Sequence, residues 1–307
     1  MNKEILAAID CGTNSTRLLI GDGTETIYRE MQITRLGSGV SESGRLSEDG
    51  ISRVLEVLQD FRKKIEFYKV DKIRMAATSA ARDASNRVEF FNAAESIIGK
   101  QPELLTGEEE GHLAFMGAVR ELDPSDGPFL VLDIGGGSTE FTFGTDVPQE
   151  VHSCQIGCVR LTEEFIENDP VLPEELHACL TVTEGYIADV VREHPSVLEA
   201  KTLVGLAGTV SCVAGIEIGL PVYDRDRIHH FRLQKDSVEE VFRMLATENR
   251  KERLENPGME EGRVDVIVGG MTILVKAMRQ LDFSECLVSE ADILDGLILS
   301  QITDPPI

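Results

Sequence analysis

Two short segments of the chain have the composition of phosphate-binding turns. They are Gly12-Thr13-Asn14-Ser15 and Gly135-Gly136-Gly137-Ser138. Glycine has no Cβ, so backbone N–H groups can approach and converge on an anion, while hydroxyl and amide side chains add further donors. Neither segment has the spacing of a P-loop or a dinucleotide-binding loop, and each taken alone could be a plain tight turn. Two such turns in one chain favour an anion site.

An acidic residue precedes each turn. Asp10 and Asp133 stand just before the first glycine of their turns. A carboxylate beside a bound phosphate requires a cation between them, and Mg²⁺ is suited because it takes one or two carboxylates together with phosphate oxygens and waters. At equivalent positions further along, one copy has Arg17 and the other has Glu140. The first would clamp phosphate and the second would bind metal, unless both are solvated strand residues.

Three consecutive glutamates, Glu108, Glu109 and Glu110, open a predicted helix. Acidic side chains in a first helical turn are ordinary partners of the helix dipole and need no further function. A carboxylate next to a bound phosphate is also what a phosphohydrolase needs to orient and deprotonate water. The residues alone leave both interpretations open.

The two turns lie in an internal repeat. Residues 9–21 align without gaps with residues 132–144, at an offset of 123, and the copies share Asp, Gly, Ser, Thr and the final Gly. Apolar runs on either side of each small-residue cluster predict a strand, a tight turn and a second strand, which is a hairpin used twice. A repeat of this long period indicates two structurally related domains rather than a solenoid.

Helical and strand patterns alternate around these hairpins. The predicted helices are 47–68, 87–98, 107–122, 173–192, 235–247 and 292–302, and further strands are predicted at 72–78 and 202–207. Ser47 is a suitable cap for the first of these helices. The turn residues at 123–128 are typical of a linker. Alternation of this kind predicts an α/β fold with sheets covered on both sides.

The charge balance and the cysteine count exclude several classes of protein. The net charge is −24, of which residues 1–120 contribute −3 and residues 121–307 contribute −21. Phosphate backbones are held by basic faces, so nucleic acid is not an expected partner. No apolar run approaches the roughly 18 residues of a membrane span. Six cysteines without a disulfide-type spacing, and no N-terminal signal pattern, lead us to expect a cytoplasmic protein.

Seven ordered motifs give the sequence a specific resemblance. They are D-C-G-T-N-S-T-R at 10–17, T-S-A-A-R-D-A-S-N at 78–86, L-T-G-E-E-E-G-H-L-A-F-M-G at 105–117, D-I-G-G-G-S-T-E at 133–140, G-L-A-G-T at 205–209, I-H at 228–229 and P-G-M-E-E-G-R-V-D-V-I at 257–267. They closely resemble the motifs of the exopolyphosphatase/guanosine pentaphosphate phosphatase (Ppx/GppA) family, within the actin-like superfold. The resemblance implies two actin-like, ribonuclease H-like domains with a cleft between them. They would span 1–123, joined by the C-terminal helix 292–307, and 124–291.

The resemblance also implies a metal-dependent phosphoanhydride hydrolase. By motif position Glu110 resembles the catalytic base, with Glu108 and Glu109 in orienting or structural roles. Asp133 and Glu140 resemble metal-associated carboxylates, which adds to the expectation of Mg²⁺ or Mn²⁺ beside them and Asp10. The residues that resemble substrate contacts are Thr13, Asn14, Ser15, Arg17, Arg82, Gly136, Gly137, Ser138 and Arg263. For Arg82 the alternative is an ion pair with Asp83 or another acid.

The implied substrate is inorganic polyphosphate, from which metal-assisted attack of water would release terminal orthophosphate. Guanosine pentaphosphate is the alternative substrate, since both compounds end in a phosphoanhydride. Two alternatives of other classes are an actin-like kinase, on account of G-L-A-G-T, and a non-catalytic sensor of guanosine tetraphosphate. The resemblance is compatible with a homodimer. The chain ends at Ile307 without the additional domains of long family members, so we expect shorter polyphosphate and lower processivity.

The sequence departs from the family pattern at two places. The loop between Glu110 and Asp133 is one residue longer, and His230 stands where a glycine usually follows the family's histidine, here His229. We therefore assign His229 no role and expect a buried, hydrogen-bonded side chain.

Overall fold

The computed structural model describes residues 4–302 and divides into two compact units. Unit 1 comprises the chain up to Gly117 and again from Ile293 onward, and unit 2 is Ala118–Asp292. The boundary expected at 123 and the linker expected at 123–128 therefore fall inside unit 2. There the chain forms a short 3-10 helix, Pro124–Asp126, capped by the Asp123 carboxylate, which accepts a hydrogen bond from the Ser125 amide.

Unit 1 is built on a five-stranded mixed sheet. Its strands are β1 (Leu6–Cys11), β2 (Ser15–Gly21), β3 (Thr26–Ile33), β4 (Lys72–Ala77) and β5 (Glu103–Leu104). Their order is β3-β2-β1-β4-β5, with β2 antiparallel to both β1 and β3, and β4 parallel to both β1 and β5. The central strand β1 is buried along its whole length, as expected for a strand covered on both faces.

Unit 2 is built on a six-stranded mixed sheet. Its strands are β6 (Phe129–Ile134), β7 (Thr139–Gly144), β8 (Pro148–Cys154), β9 (Thr202–Leu206), β10 (Arg232–Gln234) and β11 (Glu285–Val288). Their order is β10-β11-β9-β6-β7-β8, so β8 is an edge strand. In both units the third, second, first and fourth strands follow one another across the sheet. The predicted α/β fold with two related domains is confirmed.

The helices are α1 (Val40–Ser43), α2 (Glu48–Phe67), α3 (Ser79–Asp83), α4 (Arg87–Ile98), α5 (Gly107–Val119), α6 (Cys158–Phe165), α7 (Pro173–Glu193), α8 (Ala207–Ile218), α9 (Arg225–Ile228), α10 (Lys235–Thr247), α11 (Arg250–Glu255), α12 (Ile267–Gln280) and α13 (Ile293–Leu299). A second 3-10 helix is Pro195–Glu199. None of the helices in the described part of the chain is long and apolar enough to cross a membrane.

The structure confirms the helix predicted at 47–68, which is α2. Ser47 caps it by accepting a hydrogen bond from the Gly50 amide at 3.1 Å, which confirms the predicted cap. Val54, Leu58 and Phe61 lie on one face and are buried in the core of unit 1. That face follows from the 3.6-residue period, which brings positions three and four apart onto the same side.

Two long helices of unit 2, α8 and α12, are not predicted from the sequence. Helix α8 is apolar nearly all round, and α12 is buried from Ile267 to Val275 and has its charged residues near its C-terminal end. A helix surrounded by protein has no polar face, so its sequence resembles a continuous apolar run rather than an amphipathic helix.

The last helix belongs to unit 1. It packs on β1 and β2, and Gln301 donates a hydrogen bond to the Ala7 carbonyl at 3.1 Å. Asp295 forms an ion pair with Arg29 of β3. The helix is shorter than the predicted 292–302, and residues 303–307 of the expected C-terminal segment lie outside the described residues.

The two hairpins of the internal repeat have the same register. Asp10 of β1 lies opposite Arg17 of β2, and Asp133 of β6 lies opposite Glu140 of β7. In an antiparallel pair, directly opposed residues project from the same face of the sheet. The carboxylate before each turn therefore has the residue seven positions later as its neighbour.

Candidate active site

The two units carry the expected site residues as separate sets. Unit 1 contains Asp10, Thr13, Asn14, Ser15, Arg17, Arg82 and Glu110, and unit 2 contains Asp133, Gly136, Gly137, Ser138, Glu140 and Arg263. Each set is gathered at the ends of a hairpin and its neighbouring elements.

In unit 1 the turn between β1 and β2 is held through its carbonyl groups. The Thr13 carbonyl accepts a hydrogen bond from the Gly37 amide at 2.9 Å, and the Asn14 carbonyl accepts bonds from residues 34 and 35. In a trans peptide the N–H points opposite to the C=O, so the amides of Asn14 and Ser15 face away from this supporting segment. The buried Asn14 Nδ2 atom donates no hydrogen bond within residues 4–302. These donors suit an anion.

The turn of unit 2 is held in the same way. The Gly135 carbonyl accepts a hydrogen bond from the Cys158 amide, and the Gly136 carbonyl accepts one from the Val159 amide, each at 2.9 Å. Both donors belong to the first turn of α6, so the amides of Gly136 and Gly137 point away from that helix. Ser138, at the end of the turn, is buried.

Gly157, the residue before α6, allows the start of α6 to lie close to the backbone of the turn at Gly136. A Cβ built at this position would lie 2.4 Å from the carbonyl oxygen of Gly136. We expect Gly157→Ala to destabilise the protein by about 1–3 kcal/mol, because a methyl group pressed against backbone in a packed region forces the turn or the helix to shift. Chemical denaturation measures this change.

Gly185→Ala is the matched control for that substitution. It places a methyl group on α7, also in unit 2, where nothing lies within 4 Å, and Ala is the better helix former. We expect this variant to be at least as stable as the wild type. A Gly157→Ala variant that unfolds at the wild-type denaturant concentration would contradict the packing described here.

Asp10 and Arg17 form an ion pair. The Arg17 Nε and Nη2 atoms donate hydrogen bonds to Asp10 Oδ2 at 3.0 and 2.7 Å. The Asp10 side chain is almost completely buried and that of Arg17 is mostly buried. The sequence analysis treats these two residues as a metal ligand and a phosphate clamp, and the structure adds that each has the other as a partner. Their predicted contacts to metal and substrate stay predictions.

Glu110 is held by Arg82. The Arg82 Nη1 atom donates to Glu110 Oε2 at 2.6 Å and to the Leu105 carbonyl at 3.0 Å. Only 12% of the Glu110 side chain and 16% of the Arg82 side chain is exposed. The ion pair with an acid, one of the two alternatives for Arg82, is present with Glu110, and the contact of Arg82 to substrate stays a prediction.

The other two glutamates of the run differ from Glu110. Thr106 and Glu109 form the N-terminal cap of α5, since the Thr106 hydroxyl accepts from the Glu109 amide at 3.1 Å and Glu109 Oε2 accepts from the Thr106 amide at 2.8 Å. This reciprocal pair satisfies two amides at the helix start. Glu108 is exposed. Of the three, Glu110 is therefore the remaining candidate for the base, and this role stays a prediction.

The pKa of Glu110 is raised above its ordinary value. Burial is the largest cause, because it disfavours the charged carboxylate, and the Arg82 guanidinium opposes it. Asp10 raises the same pKa further and Arg17 lowers it. Asp10, Arg17 and Arg82 thus all act on the Glu110 carboxyl, and a raised pKa is typical of a carboxyl that serves as a general base.

In unit 2 two carboxylates face each other. Asp133 is 7% exposed and Glu140 1% exposed, and they are opposed residues of one strand pair. Ser153 of β8 donates a hydrogen bond to Glu140 Oε1 at 2.7 Å. Like charges at opposed positions repel, whereas a divalent cation with a preference for oxygen ligands would stabilise the pair. The donor set thus fits Mg²⁺ or Mn²⁺.

Arg263 lies flat against the backbone at the start of α8. A Cβ built on Gly208 would lie 1.6 Å from Cζ of Arg263, so only glycine leaves room for the guanidinium. Arg263 Nε donates to Glu260 Oε1 at 3.3 Å. The preceding residue, Ala207, has a φ of 65°, a left-handed conformation that costs a non-glycine residue energy. The G-L-A-G-T motif therefore positions Arg263.

Ser79 is a candidate that the sequence analysis does not single out. It begins α3 directly after β4, which runs parallel to β1 and ends beside it. Ser79 is 3% exposed, and its hydroxyl has no hydrogen-bond partner among the described residues. The motif T-S-A-A-R at 78–82 contains it, but a serine in a motif does not reveal from sequence whether its hydroxyl is used locally.

His229 and His230 explain the departure from the family pattern. The His229 ring accepts a hydrogen bond from the Glu290 amide at 3.0 Å through Nδ1, and its Nε2 atom lies 3.1 Å from Glu121 Oε2. His229 is hydrogen-bonded as expected, but its side chain is partly exposed rather than buried. His230 has a φ of 62°, the left-handed region in which glycine is favoured. A histidine at position 230 therefore has a conformational energy cost that a glycine would avoid.

Comparison with known proteins shows the family of this chain. Residues 14–304 match the model of the Ppx/GppA phosphatase family. Exopolyphosphatase 2 of Mycobacterium tuberculosis is 38% identical over 96% of this chain and 98% of its own length. A guanosine-5'-triphosphate,3'-diphosphate pyrophosphatase of Aeromonas salmonicida is 29% identical over 97% of this chain and 59% of its own length. A solved exopolyphosphatase-like protein superimposes with a TM-score of 0.93 at 32% identity, covering 96% of this chain and 98% of that one. The chain belongs to the Ppx/GppA phosphatase family.

Proposed function

We propose that the protein is an exopolyphosphatase that releases terminal orthophosphate from inorganic polyphosphate. The observation that carries this proposal is the buried Glu110 carboxylate, paired with Arg82 and raised in pKa. A relative of nearly equal length, 38% identical, is named an exopolyphosphatase. Phosphoryl transfer needs positioning and electrostatic stabilisation more than covalent chemistry, which matches a site made of turns, charges and one base.

In the proposed reaction Glu110 accepts a proton from the attacking water. The bond between the terminal phosphorus and its bridging oxygen breaks as the water oxygen bonds to phosphorus, and the shortened chain leaves with the electron pair on that oxygen. Arg82 holds the base in place and keeps part of it ionised. The amides of the turn, with Asn14 and Ser79, would donate to phosphate oxygens.

The second unit would bring the charge that balances the phosphates. Asp133 and Glu140 would hold Mg²⁺ or Mn²⁺, and the metal contact expected for Asp10 stays a prediction. A divalent cation bound there would offset the negative charge of the phosphate oxygens. Arg263 and the amides of Gly136 and Gly137 would bind the polyanion, and Ser138 would add a hydroxyl.

Phosphate release measured on two substrates side by side tests the proposal. The substrates are polyphosphates of defined length and guanosine pentaphosphate, each with Mg²⁺ and with the metal removed by EDTA. We expect Mg²⁺-dependent release from polyphosphate, and the length series measures the predicted preference for short chains. Faster release from guanosine pentaphosphate would assign the alternative substrate, and no release from either compound would contradict the proposal.

Arg82→Ala is expected to shift the acidic limb of the pH profile of kcat to higher pH. The guanidinium opposes the effect of burial on Glu110, so its loss raises the Glu110 pKa further and leaves less ionised base at neutral pH. Phosphate release followed from about pH 5 to 9 measures the limb. Arg82→Lys keeps the positive charge and should move the limb back toward the wild type, whereas an unmoved limb in Arg82→Ala would count against the pair.

The cellular location and the assembly state are further parts of the proposal. All six cysteines are free and buried, which suits a reducing compartment, and we propose the cytoplasm. The homodimer stays a prediction that light scattering on the purified protein measures.

A further inference from the structure

A cluster of two histidines and a glutamate lies in unit 2, among residues that the proposed reaction does not use. His152 is on the edge strand β8, Glu193 is the last residue of α7, and His194 follows it. One possible ligand atom from each of the three lies within 4.8 Å of the others. The cluster therefore joins the edge of the sheet to the end of a helix.

The distances within the cluster suit a small transition-metal ion. His152 Nδ1 lies 3.5 Å from Glu193 Oε2, and two ligands of one tetrahedral Zn²⁺ are about 3.4 Å apart when each is 2.0–2.1 Å from the ion. The two imidazole rings are 5.3 Å apart in a T-shaped arrangement. Side-chain exposures of 20% for His152 and 28% for His194 leave the rings accessible to an ion from solvent.

A second carboxylate orients the cluster. Glu150, two residues before His152 on β8, lies 3.4 Å from His194 Nδ1 and accepts a hydrogen bond from Ser196. A carboxylate in contact with one nitrogen of an imidazole fixes the ring so that the other nitrogen can bind metal.

We propose that His152, Glu193 and His194 form a Zn²⁺ site that fixes β8 to the end of α7. Two imidazoles and one carboxylate are ligands that Zn²⁺ prefers, with a fourth position left for water. The site differs in chemistry from Asp133 and Glu140, whose oxygen-only donors favour Mg²⁺. Glu193 also accepts from Arg192 at 3.2 Å, an exposed contact that Zn²⁺ would replace.

A second group, Glu121, His229 and His230, also brings three such ligands together. It is the weaker candidate, because both ring nitrogens of His229 are already hydrogen-bonded, one to the Glu290 amide and one to Glu121. The variant His229→Ala tests this second group in the same experiment.

Isothermal titration calorimetry of the full chain with ZnCl₂ tests the proposal, with millimolar Mg²⁺ present to occupy oxygen-only sites. We expect one equivalent of Zn²⁺ to bind to the wild type, and at least about tenfold weaker binding in His152→Ala and in His194→Ala. His177→Ala removes an exposed histidine from the same helix α7 and should bind as the wild type does.

Thermal unfolding supplies an independent readout. Because an ion that binds only the folded state raises Tm, Zn²⁺ should raise the Tm of the wild type and of His177→Ala but not that of the double variant His152→Ala/His194→Ala. Glu193→Gln keeps the shape of the side chain and provides a test if the histidine variants do not fold. Unchanged binding in a folded double variant, or binding lost in His229→Ala instead, would overturn the proposal.

Discussion

Glu110→Gln is expected to lower kcat for phosphate release from polyphosphate by about 10²–10⁴-fold, the contribution typical of a positioned general base. Glutamine has nearly the same size and its amide oxygen can still accept a hydrogen bond from Arg82, but it cannot take a proton from water. Because the substitution leaves the turns and the cationic contacts in place, KM should change little. Steady-state kinetics with Mg²⁺ over a range of polyphosphate concentrations measures both constants.

Glu108→Gln is the matched control for this experiment. Glu108 lies in the same first turn of α5 but is exposed, so its kinetics should equal those of the wild type. A Glu110→Gln variant with wild-type turnover would remove this residue from the role of base. Equal losses in both variants would point to the charge of the helix start rather than to one carboxylate.

Gly208→Ala is expected to reduce kcat/KM by about 10- to 100-fold, the value of one or two hydrogen bonds from a charged group. The new methyl group would occupy the place of the Arg263 guanidinium, 1.6 Å from its Cζ atom. The end of an arginine side chain is flexible and can move aside, so the protein should still fold. The loss should therefore appear in substrate binding and turnover rather than in Tm.

Two further variants separate this effect from a general disturbance. Gly185→Ala, on a helix of the same unit with open space around it, should leave kcat/KM unchanged. Arg263→Ala should lose about as much activity as Gly208→Ala, and the double variant should lose no more than either single one, since both act through the same guanidinium. Additive losses in the double variant would show that Gly208 acts by another route.

The internal repeat has diverged at one informative position. Asp10 in unit 1 is opposed by Arg17, whereas Asp133 in unit 2 is opposed by Glu140. The first pair balances its own charge, and the second presents two carboxylates on one face. The two copies thus have similar turns, and the difference between Arg17 and Glu140 gives the second copy the oxygen donors that the proposed Mg²⁺ or Mn²⁺ site requires.

The hairpins and six of the thirteen helices that the structure describes could be predicted because their signals are local. Small residues between apolar runs mark the turns, and a 3.6-residue stripe with a serine cap marks α2. The helices α8 and α12 are buried over most of their length, so no polar face runs along them. Their prediction needs knowledge of what surrounds them.

The contacts between site residues could not be predicted from the sequence for a related reason. Arg82 and Glu110 are 28 positions apart, and only the folded chain shows that they meet. The same holds for Gly208 and Arg263, whose contact appears once the helix start and the loop are packed. Motif order identified these residues as candidates, whereas their partners depend on tertiary contacts between separate elements.

The central claim is that water, placed by this chain, splits the terminal phosphoanhydride of polyphosphate. Mg²⁺-dependent turnover of a short polyphosphate in water enriched in oxygen-18 tests it most directly, with the released orthophosphate analysed by mass spectrometry. One solvent oxygen in each orthophosphate released from the chain end is the predicted result. Orthophosphate without solvent oxygen, label carried by the shortened chain, or transfer of the phosphoryl group to an acceptor would contradict it.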